Sequence, residues 1–355
     1  MKIIHCADIH IGSAMQNLSG EKAKIRKREI IDTFCNLASF AKEKSVDVVV
    51  IAGDLFDKAS VPKSVKKEVL QVIGLCGDVD FIYLTGNHDA KISLLDDEVA
   101  VPSNLKLFEK KSDWTYFDYG DVCIAGFDIY ASGGTGFYES LRFDKEKFNI
   151  AVLHGDLRAI LLDRLKGKNI DYLALGDIHI PDIAPKKLDM RGVYGYCGCL
   201  EGRGVDESGE RGFFLLDIKN GKMHREFINI AKRSYESVKV DITGLDTHTQ
   251  IAMAIMDSTK LIDEKNIVRV ELSGKYFADT QKDKENLVVK LQDRFFCGSV
   301  KDLSVLDMGS VDYENEISLR REFVELVKNS ELSAEEKDKV IEYGIKAMLG
   351  EVIEI

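Results

Sequence analysis

No stretch of this chain approaches the roughly 18 to 20 consecutive apolar residues that a membrane-spanning helix needs. The N-terminus, "MKIIHCADIH", carries a single Lys and then polar groups too early for the apolar core of a secretory signal. A cytoplasmic protein with no membrane partner is therefore expected. Cysteine is scarce and odd in number, seven scattered residues, which suits reduced thiols better than a disulfide framework. The one close pair, Cys197 and Cys199 in "YCGCLEG", has no second cluster to complete a zinc site and reads as two small buried thiols. A Gly-rich loop ending in Lys, of the kind that cradles nucleotide phosphates, is missing, so any ATP-driven step needs a second protein. Positive charge is in deficit too. The formal net charge of −11 argues against a surface that holds nucleic acid by charge alone. The only dense cationic run, "EKAKIRKRE" with Lys22, Lys24, Arg26, Lys27 and Arg28, reads as the solvated face of a helix, because Ile30, Phe34, Leu37 and Ala41 continue at helical spacing.

What the chain does have is one pattern five times over. "KIIHCADIH" ends in Asp8 and His10, "DVVVIAGDLFD" in Asp54 and Asp57, and "DFIYLTGNHD" in Asn87, His88 and Asp89. "NIAVLHGD" ends in His154 and Asp156, and "DYLALGDIH" in Asp177 and His179. Each run has the β-branched and apolar content of a buried strand, and four carry Gly at the exit. Helical segments at 28–43 and in "VPKSVKKEVLQVIGLCG" separate the early runs, which implies βαβ units and a sheet covered on both faces. Ligands of such sheets gather outside the carboxyl ends of the strands. One aspartate at a strand exit is ordinarily a turn former or a helix cap. Five such endings, four of them with His, point to one shared site.

The donor set is carboxylate and imidazole with one amide and no thiolate, which suits Mn²⁺, Fe²⁺ or Zn²⁺. The candidates exceed one ion's complement. Two ions about 3.5–4 Å apart can clamp a phosphate and support in-line attack on phosphorus. Asp54 is the natural carboxylate to bridge them, and the glycines let backbone approach the site.

Taken in order, "DIH", "GDLFD", "GNHD", "HGD" and "GDIH" resemble the calcineurin-like metallophosphoesterases. Within these, "HCADIHIG", "GDLFDKASVP" and "GCLEGRGVDESGERGFFLLDI" are similar to the SbcD-type nuclease subunit of DNA-repair complexes. The resemblance covers roughly residues 1–230 and is looser beyond. It implies an α/β fold: a four-layer β-sandwich flanked by helices, with a small α/β capping domain and C-terminal helices. It also implies a metal-dependent DNA exonuclease, acting on single strands as an endonuclease as well, with Mn²⁺ the first choice of ion. Asp8, His10, Asp54 and His179 would surround one ion, and Asp54, Asn87, His154 and Asp177 the other. His88 would contact the phosphate and act as acid for the leaving group, with Asp89 orienting it; the plainer alternative for His88 is a structural bond to its turn.

The departure from the family is at Asp177, since the family reads Gly-His-x-His where this chain reads "GDIH". As a ligand, Asp177 replaces a neutral imidazole with an anionic oxygen and shifts preference towards harder ions such as Mn²⁺. The alternative is a degenerate site kept for structure. His5 reads as a satisfied core histidine, Asp57 as either orienting the site or capping a helix, and Asp156 as a residue behind the ligands. Arg203 reads as a phosphate contact or an exposed loop arginine, and His224 and His248 as surface residues.

Domain boundaries are expected at 1–232, 233–312 and 313–355. From about 234 to 310 the pattern is a small βαβαβ domain without metal-type endings, matching the capping domain that the resemblance implies. The tail then shows an apolar stripe of Leu319, Phe323, Leu326 and Val327. A capping box of Ser333 and Glu336 follows, ahead of Ile341, Ile345, Met348 and Val352. These helices either fold back on their own core or dock on a partner, as the family's do on an SbcC-type coiled-coil ATPase. A homodimer is implied by the resemblance alone.

Overall fold

The computed structural model describes residues 1–15, 18–57, 61–89, 100–108, 113–132, 134–277, 280–307 and 319–348. The chain divides into two units, Met1–Ser234 and Tyr235–Ile355.

In the first unit, β1 (Lys2–Cys6), α1 (Gly20–Glu43), β2 (Val48–Ala52), α2 (Lys63–Gly74), β3 (Asp80–Leu84) and β4 (Leu105–Leu107) come first. There follow β5 (Thr115–Tyr119), β6 (Val122–Gly126), the short helices α3 (Ile129–Ser132) and α4 (Phe137–Ser140), and β7 (Phe148–His154). The unit ends with α5 (Leu162–Leu165), β8 (Tyr172–Gly176), β9 (Lys186–Lys187), β10 (Val193–Tyr196), β11 (Gly212–Lys219) and β12 (Lys222–Asn229). Two six-stranded sheets result, ordered β12-β11-β1-β2-β3-β4 and β5-β6-β7-β8-β10-β9. Their centres, β1 to β4 and β6-β7-β8-β10, are parallel, and the remaining pairs are antiparallel.

Alternation along each strand explains the layering. Ile3, Val48, Val50, Ala52, Ile82 and Leu84 face inward and share a core with Ile150, Val152 and Ala174 of the second sheet. Ile4, Cys6, Val49, Ile51, Phe81 and Tyr83 face outward and lie under Ile30, Phe34 and Leu37 of α1 and Val69, Leu70 and Ile73 of α2. The outer face of the second sheet is covered by Phe137, Tyr138, Ile160 and Leu165. Strands buried on both faces read as continuous apolar runs, which is how they look in the sequence. Phe34 is fully buried. Phe34→Ala is expected to cost about 3–5 kcal/mol, read as a lower urea midpoint by the fluorescence of Trp114, the single tryptophan, which is buried in this unit.

The cationic run does not lie wholly in solvent. α1 begins at Gly20, eight residues ahead of the expected start, and Arg26 is fully buried among carboxylates. Lys24 pairs with Glu21, and Arg28 with Asp32 and Glu68. Side-chain periodicity cannot show this, because the partner Glu201 is 175 residues away.

The second unit contains β13 (Tyr235–Asp241), α6 (His248–Ser258), β14 (Ile267–Ser273), β15 (Lys275–Tyr276), α7 (Lys284–Arg294), β16 (Cys297–Asp302), β17 (Val305–Leu306), α8 (Leu319–Lys328) and α9 (Ala334–Met348). β13, β14 and β16 form a parallel sheet whose crossovers are α6 and α7, the βαβαβ unit read from the sequence. The tail stripe splits between two fates. Val327, Ile341 and Ile345 enter the core of this unit, joined by Val324 from outside the stripe, and Phe323 packs against it, whereas Leu319 and Leu326 are 71% and 74% exposed. The box at Ser333 and Glu336 forms, with reciprocal bonds of 2.9 Å and 3.3 Å; Val352 lies outside the described residues. No described helix is long and apolar enough to cross a membrane.

Candidate metal centre

The residues in question all stand at the carboxyl ends of parallel strands: β1 delivers Asp8 and His10, β2 Asp54 and Asp57, and β3 Asn87, His88 and Asp89. From the second sheet, β7 ends on His154, and β8 leads into Asp177 and His179. Asp8, His10, Asp54 and Asp177 have φ of +51°, +51°, +52° and +103°. Non-glycine residues seldom adopt such backbone, and clustering of it marks functional sites. Glycine at the exits is a steric necessity. A Cβ on Gly86 would lie 2.2 Å from Asp54 Oδ1, and one on Gly176 would lie 2.0 Å from Ala52 O.

Two pockets of converging lone pairs result. His179 Nδ1 lies 2.6 Å from Glu207 Oε1 and so gives its N–H to that carboxylate, while His10 Nδ1 lies 3.3 Å from Asp57 Oδ1, a charge contact without hydrogen-bond geometry. Their Nε2 atoms then face each other at 3.2 Å, with Asp8 Oδ1 4.0 Å and 3.9 Å away. On the other side His154 donates Nδ1–H to Ala52 O at 2.8 Å. Its Nε2 thereby faces Asn87 Oδ1 at 3.0 Å, Asp54 Oδ2 at 3.3 Å and Asp177 Oδ1 at 3.8 Å. Asp54 Oδ2 is also 3.7 Å from His10 Nε2, so one oxygen adjoins both pockets. Acceptors converging on one spot fit a cation there, whether a proton or a metal ion. The electrostatics agree. Burial lowers the pKa of His154, but hydrogen bonding and charge from Asp54 and the charge of Asp8 outweigh it and lift it to about 9. Burial pushes Asp8 up to about 6, against the charges of His154 and His179. The site draws positive charge.

Among the described residues, Asp8, His10 and His179 form one tight group, Asp8, Asp54 and His154 a second, and His10, Asp57 and His88 a third. Asp177 belongs to none. Its carboxylate stands at the margin beside His154, while its backbone N–H donates to both oxygens of Asp8 at 3.1 Å and 3.0 Å.

The structure corrects the expected partner of His88. Asp89 is fully buried, and its oxygens accept from Tyr83 Oη, Gly86 N at 2.6 Å and Phe56 N at 3.4 Å, so it braces the turn rather than the His88 ring. Asp57 takes that place: His88 Nδ1 lies 3.2 Å from its carbonyl and 3.3 Å from its Oδ1. The His88 side chain is 41% exposed, and its backbone N–H donates to Asp54 Oδ1 at 3.0 Å.

Arg203 is not an exposed loop residue either. Its side chain is 14% exposed, with Nη1 3.6 Å from Asp57 Oδ1 and Nη2 3.0 Å from Glu207 Oε1. Glu207 is the residue that the motif reading missed. Burial raises its pKa, but His179 and Arg203 outweigh that and hold it down at about 2. Nothing local in "GRGVDESGERG" marks Glu207 as buried. His5 is a core residue bonded to Tyr172 Oη at 2.9 Å, and Asp156 bonds to its own turn at Arg158 and Ala159. His224 is exposed, and His248 is half-buried with Nε2 3.0 Å from Asn286 Oδ1. Cys197 and Cys199 are buried free thiols.

Comparison with known proteins bears on this geometry. Residues 1–181 match the calcineurin-like phosphoesterase family. The chain is 26% identical over 77% of its length to the uncharacterized metallophosphoesterase YhaO of Bacillus subtilis, covering 72% of that protein. It is 26% identical over 69% of its length to the DNA double-strand break repair protein Mre11 of Methanopyrus kandleri, covering 60%, which is less than two thirds of that protein. It is 26% identical over 64% of its length to an SbcCD nuclease subunit of Staphylococcus saprophyticus, covering 68%. The match takes in just over half of the chain, which belongs to the calcineurin-like phosphoesterases. Membership implies metal-dependent phosphoester hydrolysis and two divalent ions.

Proposed function

We propose that this calcineurin-like phosphoesterase is a two-metal DNA nuclease of the SbcD type, a double-strand exonuclease and single-strand endonuclease serving repair or recombination. The observation that supports it most is the pair of lone-pair pockets on either side of Asp54 Oδ2, in a chain whose relatives include an SbcCD nuclease subunit and Mre11 proteins. Asp8, His10, Asp54 and His179 would hold one ion, and Asp54, Asn87, His154 and Asp177 the other. Mn²⁺ is the ion favoured by a set with this many oxygens. When bound, the ions supply positive charge to the phosphoryl oxygens and lower the pKa of water at the site.

The protein's own groups do the rest. His88 gives its Nδ1–H to Asp57, which leaves Nε2 of a half-exposed ring for the substrate. Protonated on both nitrogens, the ring donates Nε2–H to a phosphoryl oxygen and passes that proton to the departing 3′-side sugar oxygen, becoming neutral. Asp57 holds His10 and His88 at equal distances of 3.3 Å, keeping the acid in register with the ligands. The second unit takes the capping role that the resemblance gives it, and a homodimer is part of the same reading.

The exposed part of the tail stripe supports docking on an SbcC-type ATPase. Leu319 and Leu326 lie outside the core, so Leu319→Glu with Leu326→Glu is expected to leave the fold intact and weaken binding to the ATPase coiled coil at least about tenfold, about 1.4 kcal/mol. Co-purification and calorimetric titration check this; unchanged affinity removes the tail from the interface.

A second reading, a phosphoesterase acting on nucleotides or phosphoproteins, draws on the pairing of Lys24, Arg26 and Arg28 within the protein. A third, an impaired clamp for DNA ends or an ATPase, draws on the marginal place of Asp177. Incubation of the chain in Mn²⁺ with end-labelled duplex and single-stranded DNA, beside bis(p-nitrophenyl) phosphate, separates the three. DNA degradation supports the nuclease, turnover of the small diester alone the phosphoesterase, and silence on both, with an SbcC-type partner and ATP added, the clamp.

A further inference from the structure

Arg26 is the least expected charge in the first unit. Its neighbours Lys24, Lys27 and Arg28 are exposed, yet its own side chain is 0% exposed. Nη1 donates to Glu29 Oε2 at 2.5 Å, and Nη2 to Glu201 Oε2 at 2.9 Å and Gly202 O at 2.8 Å. The other oxygen of Glu201 accepts from Thr33 Oγ1 and Lys232 N, each at 2.6 Å. Glu29 pairs in turn with Arg233. Two arginines and two glutamates thus balance to zero charge, joining α1, the turn at 201–203 and the segment after β12. Burying four charges is costly, and well-packed apolar residues often serve stability as well or better. Geometry offers the reason for keeping them.

The turn that Arg26 grips continues directly into the site. Glu201 and Gly202 are held on the α1 side. The next side chain, Arg203, reaches Asp57 Oδ1 at 3.6 Å and Glu207 Oε1 at 3.0 Å, while its N–H donates to Glu207 Oε2 at 2.7 Å. Glu207 Oε1 is 2.6 Å from His179 Nδ1, and Asp57 Oδ1 is 3.3 Å from the Nδ1 of His10 and of His88. We propose that Arg26 is a positioning residue for the metal centre, fixing through Glu201 and Gly202 the turn from which Arg203 and Glu207 aim His179. The proposal rests on the reading of that centre as a site for two divalent ions.

Three variants test it: Arg26→Met, Arg26→Lys, and Arg26→Met with Glu201→Met, which leaves the Glu29–Arg233 pair balanced should the single change not fold. Each full-length, metal-free chain is titrated with Mn²⁺ by calorimetry, melted without metal, and assayed on bis(p-nitrophenyl) phosphate. In both Met variants one of the two Mn²⁺ affinities falls about 10–100-fold, the range for groups that orient metal ligands. The other stays within about twofold, and kcat falls while KM holds; Arg26→Lys, which keeps a donor for Glu201, is intermediate. A lowered melting temperature with both affinities and kcat within twofold of wild type overturns the proposal and leaves a structural network. Wild-type chain that binds two Mn²⁺ but hydrolyses no diester defeats the functional reading alone, and the titration then decides the role of Arg26. Wild-type chain that takes up no Mn²⁺ defeats both.

Discussion

Asp54→Asn lowers phosphodiester hydrolysis by about 10³-fold or more, at the upper end of what losing one electrostatic stabiliser costs an enzyme. The size follows from position. Asp54 Oδ2 is the oxygen that adjoins both pockets, 3.3 Å from His154 Nε2 and 3.7 Å from His10 Nε2, so one substitution removes negative charge from both at once. Burial raises the pKa of Asp54, but His154 and His10 more than offset it and hold the carboxyl below its ordinary range, so wild type presents an anion there at neutral pH. The amide keeps the shape and can still accept from His88 N–H, which limits any effect on the fold. A readout independent of activity is the Mn²⁺-induced rise in melting temperature, which scales with the logarithm of ion concentration over its dissociation constant. Wild type shows the rise, and the Asn variant loses most of it. A variant that keeps both its activity and its thermal shift would place the bridging oxygen elsewhere.

His88→Gln lowers kcat by about 10²-fold, the lower range for loss of a general acid, and leaves Mn²⁺ binding within about twofold. The separation is expected because the His88 ring is held by Asp57, is 41% exposed, and belongs to neither the group of Asp8, His10 and His179 nor that of Asp8, Asp54 and His154. KM moves less than kcat if the ring acts mainly in the transition state. The loss shrinks for substrates whose leaving oxygen needs no proton, so p-nitrophenyl diesters suffer less than DNA. Equal losses on both would assign His88 to phosphate contact alone.

Much of the site was legible in the sequence because its chemistry lies at strand exits. There an apolar run stops at a Gly, Asp or His, and the exits of parallel strands share one edge. Asp8, His10, Asp54, Asn87, His154 and His179 converge as that pattern implies. What could not be read were partnerships set by tertiary packing. Asp89 adjoins His88 in sequence but turns inward to Tyr83 and Gly86, while Asp57, 31 residues away, holds the ring. Glu207 and Arg203 look like polar loop residues in the sequence because nothing local marks them as buried. Arg26 shares the periodicity of an exposed helical face, and its burial depends on Glu201 across the fold. The tail stripe looks like one face, whereas α8 and α9 bury Val324, Val327, Ile341 and Ile345 and leave Leu319 and Leu326 outside. Register against a neighbour decides such a split, and a sequence does not contain it.

The most direct test is the anomalous scattering of manganese in crystals of the chain grown with Mn²⁺. Two peaks are expected about 3.5–4 Å apart, flanking Asp54 Oδ2, with His10 and His179 on one and His154, Asn87 and the Asp177 carboxylate on the other. A single peak, or two peaks with Asp177 turned away and Asp54 bound to only one, would contradict the two-metal account.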